Sequence, residues 1–303
     1  MGKKPVMSIF SNTYVLMTIL LLFWGSFSAV TKLVLYDLDS FQLQFYMFGI
    51  AMIVLCIVMI VKKMWYAIPS MGWKRCSKLI LLALPQFFYY FLYVLALERI
   101  PAIEASMLNY LFPVFIVLLS LPFSREKICL KKWISILTGF TGVILVITGG
   151  RMEGLRFSDL GGDFMAVGAA LSWAVFSIMS KINKEDLLIS CFFYTGVTFF
   201  LDLFAMIIFS KFVFPGMLAL TGCAWLCISN ILLTYAIWFH LLKTTSSSKV
   251  AALSFVTPFI TLVFIAIFIG EPISSVSIVG VSLIIAGNLA VAHTTNKYGT
   301  SEK

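Results

Sequence analysis

Gln86, Tyr89, Tyr90 and Tyr93 recur at i, i+3, i+4 and i+7 in an otherwise apolar stretch, the spacing that sets side chains along one face of an α-helix. Phenols and an amide on one face can stack on a ring and exchange hydrogen bonds, so the face suits an amphipathic small molecule. Two other stretches share this character. Asn109 and Tyr110 shortly precede Pro113, whose ring and missing N–H free the carbonyl of Asn109 from helical hydrogen bonding. Asn230, Thr234 and Trp238 recur every fourth residue with Tyr235 beside them, and Ser254 and Thr257 lead into Pro258. Trp24 and Trp173 occupy matching contexts, each eight residues before a lysine, Lys32 or Lys181. Backbone freed at a proline is tolerated in lipid where it lines a cavity. The expected binding set is therefore Tyr89, Tyr90, Asn109, Tyr110, Trp24, Trp173, Asn230 and Tyr235, with Pro113 and Pro258 as gating positions. Each type also has a plainer use. Tyrosine and tryptophan gather at membrane interfaces, which is the expectation for Tyr93 and Trp238 near span ends, and Asn or Ser can simply tie helices together.

The elements that carry these residues must be membrane helices. The chain is 61% hydrophobic and 12% charged with a mean hydropathy of +1.03, whereas soluble domains average about a quarter charged residues. Uncharged runs long enough for a hydrocarbon core of about 30 Å recur. They predict ten spans near 13–31, 41–61, 78–97, 103–123, 131–149, 162–181, 188–210, 217–241, 250–270 and 274–293. Short connections between them call for helices, the fold class being all-α integral membrane. The first run follows Lys3 and Lys4 without a small-residue cleavage site and reads as a retained signal anchor.

With the amino terminus in the cytoplasm, only Lys32, Arg99, Arg151, Arg156 and Lys211 of the 22 Lys and Arg fall on the outer side. This asymmetry predicts that both termini are cytoplasmic. The net charge of +9 is then an orientation signal and implies no nucleic-acid partner.

The chain also repeats itself. Tyr93–Phe115 and Trp238–Ile260 align without a gap at an offset of 145, placing Pro113 over Pro258, Leu108 over Leu253 and Tyr110 over Phe255; the same offset pairs Glu126 with Glu271 and Gly142 with Gly287. Near the start of each half, an offset of 149 pairs Trp24 with Trp173. The hydrophilic segment Gly149–Gly162 divides two repeats, 1–149 and 150–303. Five spans per half return the chain on the opposite side, so the second repeat inserts upside down, an arrangement that serves alternating access.

Other chemistry is poorly supported. Asp202, within FFLDLF, places a carboxylate in a span at a cost of ~3 kcal/mol; it is expected to be neutral or close enough to the outer interface to be solvated, with proton coupling as the alternative. Glu104 is expected as a solvated acid at a helix start, with an ammonium group as the alternative partner, and Lys32 and Lys181 as snorkelling lysines. Cys56, Cys76, Cys129, Cys191, Cys223 and Cys227 suggest no disulfide. Cys223 and Cys227 lie one turn apart without further ligands, which favours packing over a soft metal. His240 and His293 fall at span ends. No phosphate-binding loop and no nucleophile–base cluster is present, so neither an ATP-driven pump nor an intramembrane enzyme is expected, and no cofactor.

The two-times-five arrangement, Gly162-Asp163 leading into Ala170–Lys181 (ALSWAVFSIMSK), and the prolines of the fourth and ninth spans resemble the EamA branch of the drug/metabolite transporter superfamily over nearly the whole chain. Within it, Ala102–Pro113 (AIEASMLNYLFP) is similar to the matching stretch of an aromatic amino-acid exporter. The resemblance implies a secondary transporter of the inner membrane exporting amino acids, aromatic ones favoured. A carrier of another metabolite, such as S-adenosylmethionine, a nucleotide-linked compound or a cationic drug, is the alternative. It leaves the oligomeric state open.

Overall fold

The computed structural model describes residues 12–120, scattered positions within 134–145, and residues 159–181, 183–244 and 256–299. The described residues are helical, with no strand among them. The helices are α1 (Thr13–Val34), α2 (Ser40–Val61), α3 (Trp73–Arg99), α4 (Ala102–Asn109), α5 (Phe112–Ser120), α6 (Leu160–Lys181), α7 (Leu187–Phe209), α8 (Met217–Leu226), α9 (Thr234–Thr244), α10 (Thr257–Phe268) and α11 (Ser275–Gly299). A π-helical segment, Cys227–Leu233, joins α8 to α9.

Among the described residues six helices are long and apolar enough to cross a membrane: α1, α2, α3, α6, α7 and the continuous run Met217–Trp238. The predicted fourth span is shorter and broken, since α4 stops at Asn109 and α5 starts at Phe112. Pro113 accounts for the break, because a proline has no N–H to donate to the Asn109 carbonyl. The fifth predicted span lies largely outside the described residues, and the ninth is described only from Val256 onward.

The distribution of polarity is the reverse of a water-soluble protein. Gln44, Gln86, Thr195, Thr198 and Asp202 are buried, while Ile53, Ile57 and Ile60 of α2 and Phe200, Phe204 and Ile207 of α7 are exposed. A lipid environment makes this inversion favourable: apolar side chains face hydrocarbon, and polar groups turn inward. The chain is a multi-pass membrane protein.

The helices group into two compact units. One contains residues 1–29, 126–157 and 229–303, the other residues 30–125 and 158–228. In the first unit Leu16, Met17, Leu20, Leu21 and Leu241 form a core, with Trp24, Ile237, Trp238 and Ile260 packed against it. Gly25 lets α1 approach α10 closely, because a Cβ there would stand 2.4 Å from Cγ2 of Ile260.

In the second unit α6 packs along α3 and touches α4 and α5, and α7 packs on α2 and α3. Asp39 starts α2 with a capping box: Oδ1 accepts from the N–H groups of Phe41 and Gln42 at 2.9 Å, and Gln42 Oε1 accepts from the Asp39 N–H at 3.1 Å. This satisfies backbone donors that a helix start leaves open. Asp186 caps α7 through the N–H groups of Leu188 and Ile189. Gln42 and Tyr46 then fasten the 211–213 loop by donating to the carbonyls of Lys211 and Val213, both at 2.7 Å.

Candidate functional site

α3 carries the polar-aromatic face, and a feature of its own sequence positions it. Pro85 lies inside the helix, one residue before Gln86; its missing N–H deprives the Leu81 carbonyl of its helical partner. From there Tyr89 meets three aromatic rings. Its centroid is 4.7 Å from Trp173 of α6, 4.8 Å from Tyr90 and 5.9 Å from Tyr93, the last in a stacked arrangement. Trp173 continues to Phe176 at 5.5 Å, and Phe176 to Tyr194 of α7 at 5.3 Å in an edge-on contact. Offset and edge-on contacts at these distances are favourable for aromatic quadrupoles.

α4 supplies the amide. Asn109 is buried, and its side chain lies within hydrogen-bonding reach of the Tyr89 phenol, with Tyr110 also near that phenol. Asn109 Oδ1 has no donor against it. A buried acceptor left open is costly unless a ligand or water meets it. The second unit therefore brings together Tyr89, Asn109, Tyr110 and Trp173: two phenols, an indole and an amide whose oxygen can receive a hydrogen bond.

Tyr90 turns the other way. It is buried and meets Phe48 of α2 edge-on at 5.1 Å, which is helix packing. Tyr93, expected as an interfacial belt residue, is buried instead and donates to Ser106 Oγ at 3.2 Å, while Ser106 donates to the Ala102 carbonyl at 2.6 Å. A belt tyrosine keeps its hydroxyl in the headgroup layer; this one spends it between α3 and α4.

Trp24, Asn230 and Tyr235 belong to the first unit. Trp24 and Trp238 lie 5.2 Å apart, so Trp238 also packs within the unit rather than serving only as a belt residue. Asn230 lies in the π-helical segment, its amide donating to Ser229 Oγ at 2.8 Å, and Thr234 Oγ1 donates to the Ser229 carbonyl at 2.5 Å. π-bulges frequently mark functional places in helices. The spacing of Asn230 and Thr234 pointed to the region, but no period in the sequence signals the backbone distortion itself. Pro113 is the second residue of α5 and Pro258 the second of α10.

The ionisable residues depart from expectation. Lys32 donates to the carbonyls of Leu97 and of Ile100, the latter at 2.8 Å. It closes the end of α3 rather than snorkelling, because those terminal carbonyls lack helical donors. The side chain of Lys181 falls outside the described residues. Asp202 is 1% exposed and neither of its oxygens has a donor, so it is not solvated near an interface. Glu104 stands in the first turn of α4 as expected and is half-buried, with the charge of Asp163 of α6 acting on it. Cys223 and Cys227 are buried free thiols, and among the described residues no three His, Cys, Asp or Glu side chains converge as metal ligands.

The model of the EamA-like transporter family matches residues 11–148 and again 160–292. An uncharacterized transporter of Archaeoglobus fulgidus is 26% identical over 91% of this chain and 96% of its own length. The aromatic amino acid exporter YddG of Ancylobacter novellus is 33% identical over 31% of this chain and 33% of its own. A solved crystal structure superposes with a TM-score of 0.68 at 20% identity, covering 96% of this chain and 99% of that one; at this identity the likeness speaks for the fold.

Proposed function

We propose that this chain, which belongs to the EamA-like transporter family, is a secondary transporter that exports amino acids, aromatic ones favoured, across the inner membrane by alternating access. Membership of the family makes it a transporter of a small molecule rather than an enzyme. The finer reading takes both termini as cytoplasmic, from the distribution of basic residues, and takes the two halves as inverted five-helix repeats, 1–149 and 150–303.

One observation carries the choice of substrate: the open Oδ1 of buried Asn109 lies beside the Tyr89–Trp173 pair. An amino acid presents an ammonium donor and, when aromatic, a ring. Asn109 Oδ1 accepts from the ammonium, the Tyr89 hydroxyl and Tyr110 complete the polar shell, and Trp173 offers a ring face for stacking or cation–π contact. The partial likeness to the aromatic amino acid exporter supports the same class. In this reading the broken helix at Asn109–Phe112, followed by Pro113, is where α4 and α5 change their relative angle as the site opens, with Pro258 serving the equivalent position.

Counterflow of labelled amino acids in proteoliposomes tests the proposal. Phenylalanine, tyrosine and tryptophan are expected to exchange faster than alanine or glutamate. Exchange of S-adenosylmethionine or a nucleoside phosphate in place of every amino acid would overturn it.

A further inference from the structure

We propose that the connection between α2 and α3 docks an anionic phospholipid of the surrounding bilayer, with its phosphate held by Lys62 and Lys63 and an acyl chain laid along α2; the site stands independently of what the chain transports.

The charge comes from a segment with no acid of its own. Residues 62–78 include Lys62, Lys63, Lys74, Arg75 and Lys78, and neither Asp nor Glu. Glu185, which Arg75 ties to this segment, and Asp186 beside it are both committed: the first accepts from Arg75, the second from the N–H groups of Leu188 and Ile189. Among the described residues Lys62, Lys63 and Lys74 form no ion pair.

The backbone then turns these cations outward. Just beyond the end of α2, Lys63 takes a left-handed conformation with φ 55°, in the place that a glycine commonly fills after a helix. Among the described residues no other non-glycine does so. The chain continues through Met64–Tyr66 and Ala67–Ser70 to Trp73. Met64, Ala67, Ile68 and Met71 are buried or half-buried, whereas Lys62, Lys63, Trp65 and Tyr66 are exposed. The inward set has the spacing of one helical face, so the connection lies against the helices with its lysines and rings outside. Trp65 is steadied by an edge-on contact with Phe192 of α7 at 5.5 Å. Ile60, Lys63, Trp65 and Tyr66 enclose a hollow of about 370 Å³. Rings of this amphipathic kind belong at the headgroup level of a bilayer.

A free anion would need only the lysines, but the hollow opens onto an apolar track. Ile53, Ile57 and Ile60 are exposed along α2 at i, i+4 and i+7, one stripe of the helix. Ile53 also lines a second hollow, of about 350 Å³, whose walls include Gly49 of α2, Phe199 of α7 and Phe212. Gly49 leaves room there, since a Cβ would stand 3.3 Å from Cε2 of Phe199. A phosphate at one end of an apolar stripe is the arrangement of a phospholipid, and unpaired lysines favour one whose headgroup is negative. An acidic peptide in water has no means of covering Ile53 and Ile57, which lie within the span.

Native mass spectrometry of the full chain in detergent, with phosphatidylglycerol or phosphatidylcholine of the same acyl chains, counts bound lipid. Phosphatidylglycerol is expected to bind more tightly. Lys62→Gln and Lys63→Gln are each expected to lower its affinity about fivefold, while Lys63→Arg retains it. Lys211→Gln, beyond the opposite end of α7, is expected to bind as the unaltered chain does. Thermal denaturation reads the same preference without transfer to the gas phase: phosphatidylglycerol should raise the denaturation temperature more than phosphatidylcholine, and less so in Lys62→Gln/Lys63→Gln. Equal binding of the two lipids, or a preference that survives the double replacement, overturns the proposal. Displacement of phosphatidylglycerol by an equal concentration of inorganic phosphate would identify a free-anion site and overturns the lipid assignment. Neither measurement needs a transported substrate, so failure of the amino-acid reading leaves this result standing.

Discussion

α3 and the run from α8 to α9 are related by the offset of 145, and they are interrupted at the same place by different means. Pro85 falls on Asn230; the first breaks the hydrogen-bond ladder by lacking a donor, while the second lies in a π-helical segment. Beyond the interruption Tyr89, Tyr90 and Tyr93 fall on Thr234, Tyr235 and Trp238. Each run keeps a tryptophan partner from the first helix of a half: Trp173 lies 4.7 Å from Tyr89, and Trp24 lies 5.2 Å from Trp238. What differs is the use of the hydroxyl. Thr234 gives its hydroxyl to the Ser229 carbonyl, within its own helix, whereas the Tyr89 phenol meets Asn109 of another helix. Both runs thus carry a weak point in the helix and an aromatic contact, while the Tyr89 phenol of α3 meets an amide on another helix.

This asymmetry predicts unequal consequences for equal truncations. Tyr89→Ala and Asn109→Ala each remove a stacking or hydrogen-bonding group and are expected to weaken substrate binding by about 1–3 kcal/mol, roughly five- to more than a hundredfold. Thr234→Ala and Asn230→Ala are expected to raise KM less. Counterflow against substrate concentration, with the amount of reconstituted protein measured for each variant, gives the comparison. Similar losses from both sets would mean that the two runs contribute alike and that the hydroxyl of Thr234 is not committed to its own turn.

A second contrast concerns the small residue after each tryptophan, Gly25 after Trp24 and Ala174 after Trp173. Gly25→Ala drives a Cβ to 2.4 Å from Ile260 Cγ2, and overpacking of this kind costs about 1–3 kcal/mol. Ala174 is buried without that clash; its replacement by Gly loses about 0.5–1 kcal/mol through backbone entropy. Thermal denaturation in detergent should show the larger loss for Gly25→Ala and partial recovery in Gly25→Ala/Ile260→Ala. No recovery would place the strain elsewhere than on α10.

The prolines that follow the amide sharpen the comparison kinetically. Pro113→Ala restores a donor for the Asn109 carbonyl, and Pro258→Ala restores an N–H at the matching position near the start of α10. Both are expected to lower turnover while leaving KM close to its original value, because a stiffer helix slows opening without removing a substrate contact. A rise in KM alone would assign Pro113 to binding.

The sequence makes the membrane class and the location of the polar groups readable for one reason: lipid imposes long apolar runs, so Gln86, Asn109, Asn230 and Asp202 stand out. Their partners are less legible. Tyr89, Tyr90 and Tyr93 lie on adjacent turns of one helix, yet Tyr89 meets α4 and α6, Tyr90 meets α2, and Tyr93 meets Ser106. Helical period gives an approximate face, and only the packed neighbours decide which partner each ring reaches. Lys32 shows the same limit: its end-of-span position suits snorkelling, and nothing local reveals that the carbonyls of Leu97 and Ile100 lie within its reach. The broken fourth span was foreshadowed by Pro113, whereas the π-helical turn of Cys227–Leu233 has no residue that compels it.

The smallest expected effect lies at the ends of α3, and it too separates the two runs. Among the described residues the ion pairs are Arg75–Glu185, at the beginning of α3, and Arg99–Asp159, at its end. Arg75 grips Glu185 with two donors, Nε reaching Oε1 at 2.8 Å. That hydrogen bond, helped by the charges of Arg75 and Lys78, holds the Glu185 carboxyl below its ordinary range against an opposing desolvation. A group whose folded pKa is depressed stabilises the fold fully above its unfolded pKa and ceases to do so as pH falls through the folded value. Glu185 should therefore contribute at neutral pH and stop contributing on acidification below the usual glutamate range. Glu185→Gln is expected to lower the denaturation temperature slightly at neutral pH and low salt, with the difference shrinking in high salt, which screens the pair, and again in acid, which protonates Glu185. A difference that persists unchanged through both treatments would show that Glu185 acts by shaping the turn before α7 rather than by anchoring α3.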